Sequence, residues 1–214
     1  MSQYKTEDEQ VEALKQWWEK NGKYVIVGGI IVLSTVIGQQ VWSNFQTSTL
    51  TKASAQYDVM MEELADGKNE SVLQRGEALI NANSDLTYAT LASMAMAKAQ
   101  VENGDNSGAE ARLSWALENA KQEELQHIIR IRLAKVLMAQ GKLDDALTLA
   151  NYPQQGDFSS QYTLVKGDIY YKKGEIGSAK TAYRAALDDS KLGSQIRGFI
   201  QIKLDDLGGS SDGA

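Results

Sequence analysis

The sequence predicts an all-α protein with a single N-terminal transmembrane helix, followed by a solenoid of about four helix pairs plus a closing helix. Three observations carry this. The chain of 214 residues holds one proline and is rich in helix-forming residues. A long apolar run near the N-terminus carries no charge. Beyond it, glycines end helix-like stretches at nearly regular intervals.

Residues 1–23 form a polar stub. Thr6 with Glu9 is a capping-box pattern. Val11, Leu14, Trp17 and Trp18 then share one helical face, and Asn21-Gly22 is a helix-stop signal. Two roles are open to this amphipathic face: resting its tryptophans at a membrane interface, or docking on a cytoplasmic partner.

Residues 24–42, YVIVGGIIVLSTVIGQQVW, predict the transmembrane helix. No charged residue lies between Lys23 and Lys52. About 19 residues at ~1.5 Å each span roughly 28 Å, the thickness of a hydrocarbon core. Trp17, Trp18 and Tyr24 on one side, and Trp42 and Phe45 on the other, make an interfacial belt. Lys15, Lys20 and Lys23 precede the span, and the next cation is Lys52. The positive-inside bias therefore predicts a single-pass protein with its N-terminus in the cytoplasm and its C-terminal bulk on the far side of the membrane. A cleaved signal peptide fits poorly, because the leading segment is long and acidic and no clean small-x-small site follows. Gly28, Thr35, Gln39 and Trp42, with Gly38 alongside, share one side of this helix. Small and polar residues let a partner helix approach closely in lipid, although glycine is also simply common in membrane helices. Residues 43–51 are a linker or an extension of the helix.

Residues 52–207 carry the repeats. Gly104, Gly141 and Gly174 mark helix ends. Seven residues before each stands Ala97, Ala134 or Gly167, and five after each stands Ala109, Ala146 or Ala179. The spacing brackets the ~34-residue tetratricopeptide period, in which small residues sit where paired helices cross. The third unit is clearest, with Gly167, Tyr170, Gly174, Ala179, Tyr183 and Ala186 in place. In the second, Pro153 stands where Ala186 stands in the third. Residues 51–65 and 71–81 predict a degenerate terminal pair parted by Gly67, with Met60 and Val72 at the small positions. Residues 193–207 predict the closing helix, and 208–214 a flexible tail.

No catalytic constellation is present. Phosphate-binding glycine loops, HExxH, GxSxG and CxxC are absent, and the sequence has no cysteine and one histidine, His127. The acidic pairs, such as Glu62-Glu63, Glu123-Glu124 and Asp188-Asp189, fit a solvated surface. A net charge of −6 excludes a sequence-independent nucleic-acid binder. No cofactor or metal is expected, which leaves binding. In a repeat solenoid the first helix of each pair faces the groove. The candidates are Leu91, Met94 and Val101 from the first unit, Ile128, Ile131 and Met138 from the second, and Leu164 and Tyr171 from the third. Such an apolar, methionine-bearing set suits unfolded polypeptide, and equally describes ordinary core. Of the cations a carboxylate clamp would need, only Arg132 and Lys135 are in reach.

The segment from Gln10 to Trp42, QVEALKQWWEKNGKYVIVGGIIVLSTVIGQQVW, and the unit IRLAKVLMAQGKLDDAL from Ile131 to Leu147 together resemble the YfgM-type ancillary subunit of the bacterial Sec translocon. The resemblance covers nearly the whole chain up to Leu207. It implies a type II protein of the bacterial inner membrane with a periplasmic repeat domain, a non-enzymatic accessory of protein export that associates with the Sec translocon. It further implies a membrane-anchored periplasmic chaperone of the peptidyl-prolyl isomerase kind as partner, and passage of newly exported polypeptides toward periplasmic chaperones. A rival from another class is an envelope regulator or scaffold that sequesters a signalling partner through the cytoplasmic stub.

Overall fold

A computed structural model of the chain describes residues 7–188 and 193–208, with side chains from Gln10 onward. The partner residue Thr6 of the capping box, Asp189 and the tail from 209 lie outside the described residues. The chain resolves into two compact units, Met1–Lys52 and Ala53–Ala214.

Helix α1 runs unbroken over Glu7–Ala65 and is long and apolar enough to cross a membrane. It passes straight through Asn21-Gly22, where the sequence predicts a stop. The reason is local: the Asn21 amide donates to the Trp17 carbonyl at 3.0 Å, and the Trp18 indole covers Gly22. One glycine costs a helix only about 1 kcal/mol, and the apolar sequence on its far side keeps the helix going. Thr35, Thr47, Thr49 and Thr51 each donate a hydroxyl to the carbonyl four residues back. These bonds satisfy the hydroxyls inside the helix itself.

The second unit is all-α among the described residues. Its helices are the end of α1, α2 (Asn69–Ala82), α3 (Thr87–Glu102), α4 (Asn106–Asn119), α5 (Glu123–Ala139), α6 (Leu143–Ala150), α7 (Ser159–Lys172), α8 (Ile176–Leu187) and α9 (Ser194–Asp206). They form four antiparallel pairs and a closing helix, as the glycine spacing predicts. Gly67, Gly104, Gly141 and Gly174 all adopt φ between 72° and 79°. At each, the next amide reaches back five residues: Lys68 to Glu63, Asp105 to Gln100, Lys142 to Leu137 and Glu175 to Tyr170. This closure needs the left-handed conformation that glycine adopts without strain.

The crossing points are as tight as the small residues imply. Ala97 and Ala134 are buried, as are Ala109, Ala146 and Ala179. A Cβ on Gly167 would lie 2.5 Å from Cε1 of Tyr183. In the terminal pair Met60 and Val72 are both fully buried. Space for Met60 comes from Gly76 on α2, whose absent Cβ would clash with Met96 and lie 3.1 Å from Cε of Met60. The second pair is shortened: α6 ends at Ala150, Pro153 follows, and a 3-10 turn at Gly156–Phe158 leads into α7.

Neighbouring pairs are stitched at the repeat distance. Asn69 donates to Asn103, Gln122 to Thr87, Gln140 to the Asn106 carbonyl, and Lys203 to Asp168. The partners are separated by 34 or 35 residues, about one repeat, so each link ties one unit to the next.

Candidate functional site

Two surfaces bear the sequence-predicted site residues. On α1, Gly28, Thr35, Gln39 and Trp42 fall within an arc of about 60° at ~100° per residue, with Gly38 about 40° further round. All five are exposed. A Cβ on Gly28 or Gly38 would meet nothing, so this face is open to a neighbour. The Thr35 hydroxyl is spent on the Ile31 carbonyl at 2.8 Å, which leaves Gln39 as the polar side chain of the face able to bond outward.

The second surface is a trough along the first helices of the repeat unit. Three cavities of about 370, 250 and 420 Å³ succeed one another. The first is walled by Tyr57 and Met61 of α1, Leu91 and Met94 of α3, and Ile128 of α5. The second shares Met94, Lys98 and Arg132 with it and adds Val101, Leu113 and Lys135. The third shares Lys135 and runs over Ile131, Leu164 and Gln161 to Ile196 and Phe199 of α9. Shared walls make the three one continuous groove.

Leu91, Met94, Val101, Ile128, Ile131 and Leu164 therefore line one groove. Met138 and Tyr171 do not join them. Met138 is half-buried against the central core, and Tyr171 borders a separate cavity with Tyr183 and Lys203. Both belong to the last turn of their helices, the turn from which Val101 of α3 does reach the trough.

The ends of the groove escaped the sequence reading. Tyr57 stands ten residues before Gly67, as Met94, Ile131 and Leu164 stand before their own glycines. Gly208 also has a positive φ, 34 residues after Gly174. Both α1 and α9 are thus first helices in the same frame, and the frame alone would have found them.

The charges of the groove have one sign. Lys98, Arg132 and Lys135 line it, and no Asp or Glu does. Lys98 lies 3.6 Å from Glu102. Arg132 and Lys135 form no ion pair among the described residues. Burial raises the Tyr57 hydroxyl above its ordinary pKa, against the opposing effect of the Arg132 charge. The Gln161 side-chain oxygen is buried with no hydrogen-bond partner.

His127 lies off the groove, in the joint between α5 and α7. It is buried, its Nδ1 lies 3.0 Å from the Tyr162 hydroxyl, and Phe158 stacks on it at 4.8 Å. Arg130 covers the Tyr152 ring at 3.8 Å. Every group here faces packed neighbours, which is the structural role open to a buried histidine. Among the described residues no cluster of His, Asp or Glu could hold a metal ion.

The tetratricopeptide repeat-like domain family matches residues 15–209. The chain is 33% identical over 202 residues to a protein of Haemophilus influenzae named "Ancillary SecYEG translocon subunit", covering 94% of this chain and 97% of that one. The chain belongs to this family. Relatives of the same name follow in Escherichia coli (28% identity; 97% of this chain, 99% of the relative) and Neisseria gonorrhoeae (26%; 97% and 100%). Family membership thus extends over the anchor and the repeats together. What the surfaces offer chemically is recognition: an exposed face of small and polar residues on α1, and an apolar groove with a cationic rim.

Proposed function

We propose that the chain is a non-enzymatic accessory subunit of the Sec translocon, held in the inner membrane by α1 with its repeat unit in the periplasm. It binds the translocon and a membrane-anchored periplasmic chaperone of the peptidyl-prolyl isomerase kind, and helps pass exported polypeptides to periplasmic chaperones. The observation that carries the reading is the likeness over nearly the whole chain to proteins named as SecYEG subunits. The groove adds to it: its walls are mostly apolar, and it is wide enough for side chains of an extended polypeptide. The three lysines before the span support the orientation.

Photo-crosslinkers at Gly28, Thr35 and Gln39 test the membrane part. Capture of translocon or chaperone helices supports it, while capture of lipid alone, with protein captured from the opposite side at Ile30 or Ile37, removes the proposed face. A crosslinker at Phe199 tests the groove, where a nascent exported chain should be trapped during translocation. If none is trapped there, polypeptide transfer does not run through the groove.

A second reading draws on the stub. Val11, Leu14, Trp17 and Trp18 are all exposed, a face that suits a signalling partner. Deleting residues before Trp17 would then abolish regulation and spare association with the translocon; if regulation survives, this reading falls.

A further inference from the structure

We infer that the groove selects polypeptide segments in which carboxylate side chains are interspersed among apolar ones. The inference rests on the groove reading above and adds the chemistry of what binds.

Lys98 and Arg132 stand on the wall shared by the first and second cavities, and Lys135 on the wall shared by the second and third. Elsewhere in the repeat unit several cations are held by acids: Arg75 by Glu63, Arg112 by Glu77, Lys142 by Glu110, Lys173 by Asp144 and Lys203 by Asp168. Others are held in other ways, as Arg130 is over the Tyr152 ring. At the groove Glu102 stands 3.6 Å from Lys98, and Asp58 adds to burial in raising the Tyr57 pKa, but neither acid lines the cavities. Arg132 and Lys135 are exposed and carry no intramolecular counter-charge among the described residues.

A protein with 28 acidic and 22 basic residues has acids to spare, so a trough lined by three cations and, among the described residues, by no acid is a segregation of charge. Their long apolar stems pad the walls while the charged ends reach the rim. An incoming segment therefore meets apolar contact in the trough and positive potential at its middle. Carboxylates on that segment complete pairs that the protein leaves open, and lysines on it are repelled. The cations are solvent-exposed, so the gain per pair is small and salt-sensitive. Selection thus favours acidic over basic segments without making binding depend on charge.

The test uses the full chain in detergent micelles and fluorescent peptides of one apolar framework. Three amidated versions carry two Glu, two Gln or two Lys at the same places, and a fourth is the Gln version with a free C-terminal carboxylate. Anisotropy titrations at low and high salt read affinity. The Glu peptide is expected to bind about fivefold tighter than the Gln peptide at low salt, with the Lys peptide weakest, and salt should narrow the spread. The double variant Arg132→Gln, Lys135→Gln should bring Glu and Gln peptides within about twofold of each other by weakening the Glu peptide more than the Gln peptide. Equal binding of Glu, Gln and Lys peptides overturns the inference and leaves the groove reading standing. A gain confined to the free carboxylate also overturns it, in favour of an end-binding clamp. If no peptide binds, or if Phe199→Ser leaves binding of the Gln peptide intact, the groove reading itself fails.

Discussion

Gly167 and Gly198 both lie in helices, yet an alanine should act oppositely at the two. At Gly167 the new methyl would lie 2.5 Å from the Tyr183 ring, at a crossing where both residues are buried. Gly167→Ala should destabilise by about 1–3 kcal/mol, because a close-packed crossing yields only by strain. At Gly198 nothing lies within reach of a Cβ, and Gly198→Ala should stabilise by roughly 0.5–1 kcal/mol through helix propensity. Urea unfolding of the two variants checks both signs; a stable Gly167→Ala would show that α7 and α8 can part. Tyr162→Phe belongs to the same scale. It removes the hydroxyl 3.0 Å from Nδ1 of buried His127, and a cost of about 1–2 kcal/mol should appear in the same measurement. Gly167 was legible from the repeat frame. Gly76 was not: it stands nine residues after Gly67, where the other units carry Leu113, Ala150 and Tyr183, and only the shape of Met60 and Met96 explains it.

Helix-to-helix links make the pH behaviour an element-scale property. Glu63 on α1 accepts from Ser71 and Arg75, and its pKa is lowered chiefly by the Ser71 bond and then by Arg75. Glu110 on α4 accepts from Lys142 and Gln140, and Lys142 lowers it most. A carboxylate whose pKa is lower in the folded state adds stability above its unfolded pKa, and that stability is lost as pH falls through the folded value. Melting temperature should therefore drop as pH is taken from 7 into and below the ordinary carboxylate range (about 4). The pair Glu63→Gln with Glu110→Gln should flatten part of that acid limb; an unchanged limb would assign it to other carboxylates. The closing helix has its own clamp. Asp168 on α7 accepts the Tyr183 hydroxyl at 2.6 Å and the Lys203 ammonium at 2.8 Å, tying α7, α8 and α9 together. Asp168→Asn should cost about 1–3 kcal/mol and speed hydrogen exchange of α9 ahead of α3–α5. Uniform exchange across all helices would mean that α9 does not open alone. The sequence shows Asp168 as an ordinary helical acid; its partners lie 15 and 35 residues away, beyond the reach of local patterning.

On the scale of the whole molecule, the legible and the hidden parts divide by period. Whatever repeats was readable: the helix pairs, their crossings, and the groove positions ten residues before each glycine, at Met94, Ile131 and Leu164. The charge-free run of α1 was readable from composition alone. Whatever depends on two units at once stayed hidden, including the meeting of Lys98 with Arg132 on one groove wall and the burial of His127. Position three before the glycine shows the limit, for Val101 lines the groove whereas Met138 and Tyr171 leave it. Because the wall of the groove is one first helix per unit, its length comes in steps. Five such helices, from the end of α1 through α3, α5 and α7 to α9, stand at or beyond the roughly 8–10 Å of packed helices, so the track is at least about 32 Å long. An extended chain advances ~3.3 Å per residue, so the track spans about ten residues or more. The repeat number therefore acts as a ruler. If exported polypeptide follows the groove as proposed, deleting one pair should shorten the bound footprint by about three residues, and a longer client would shuttle along it a window at a time.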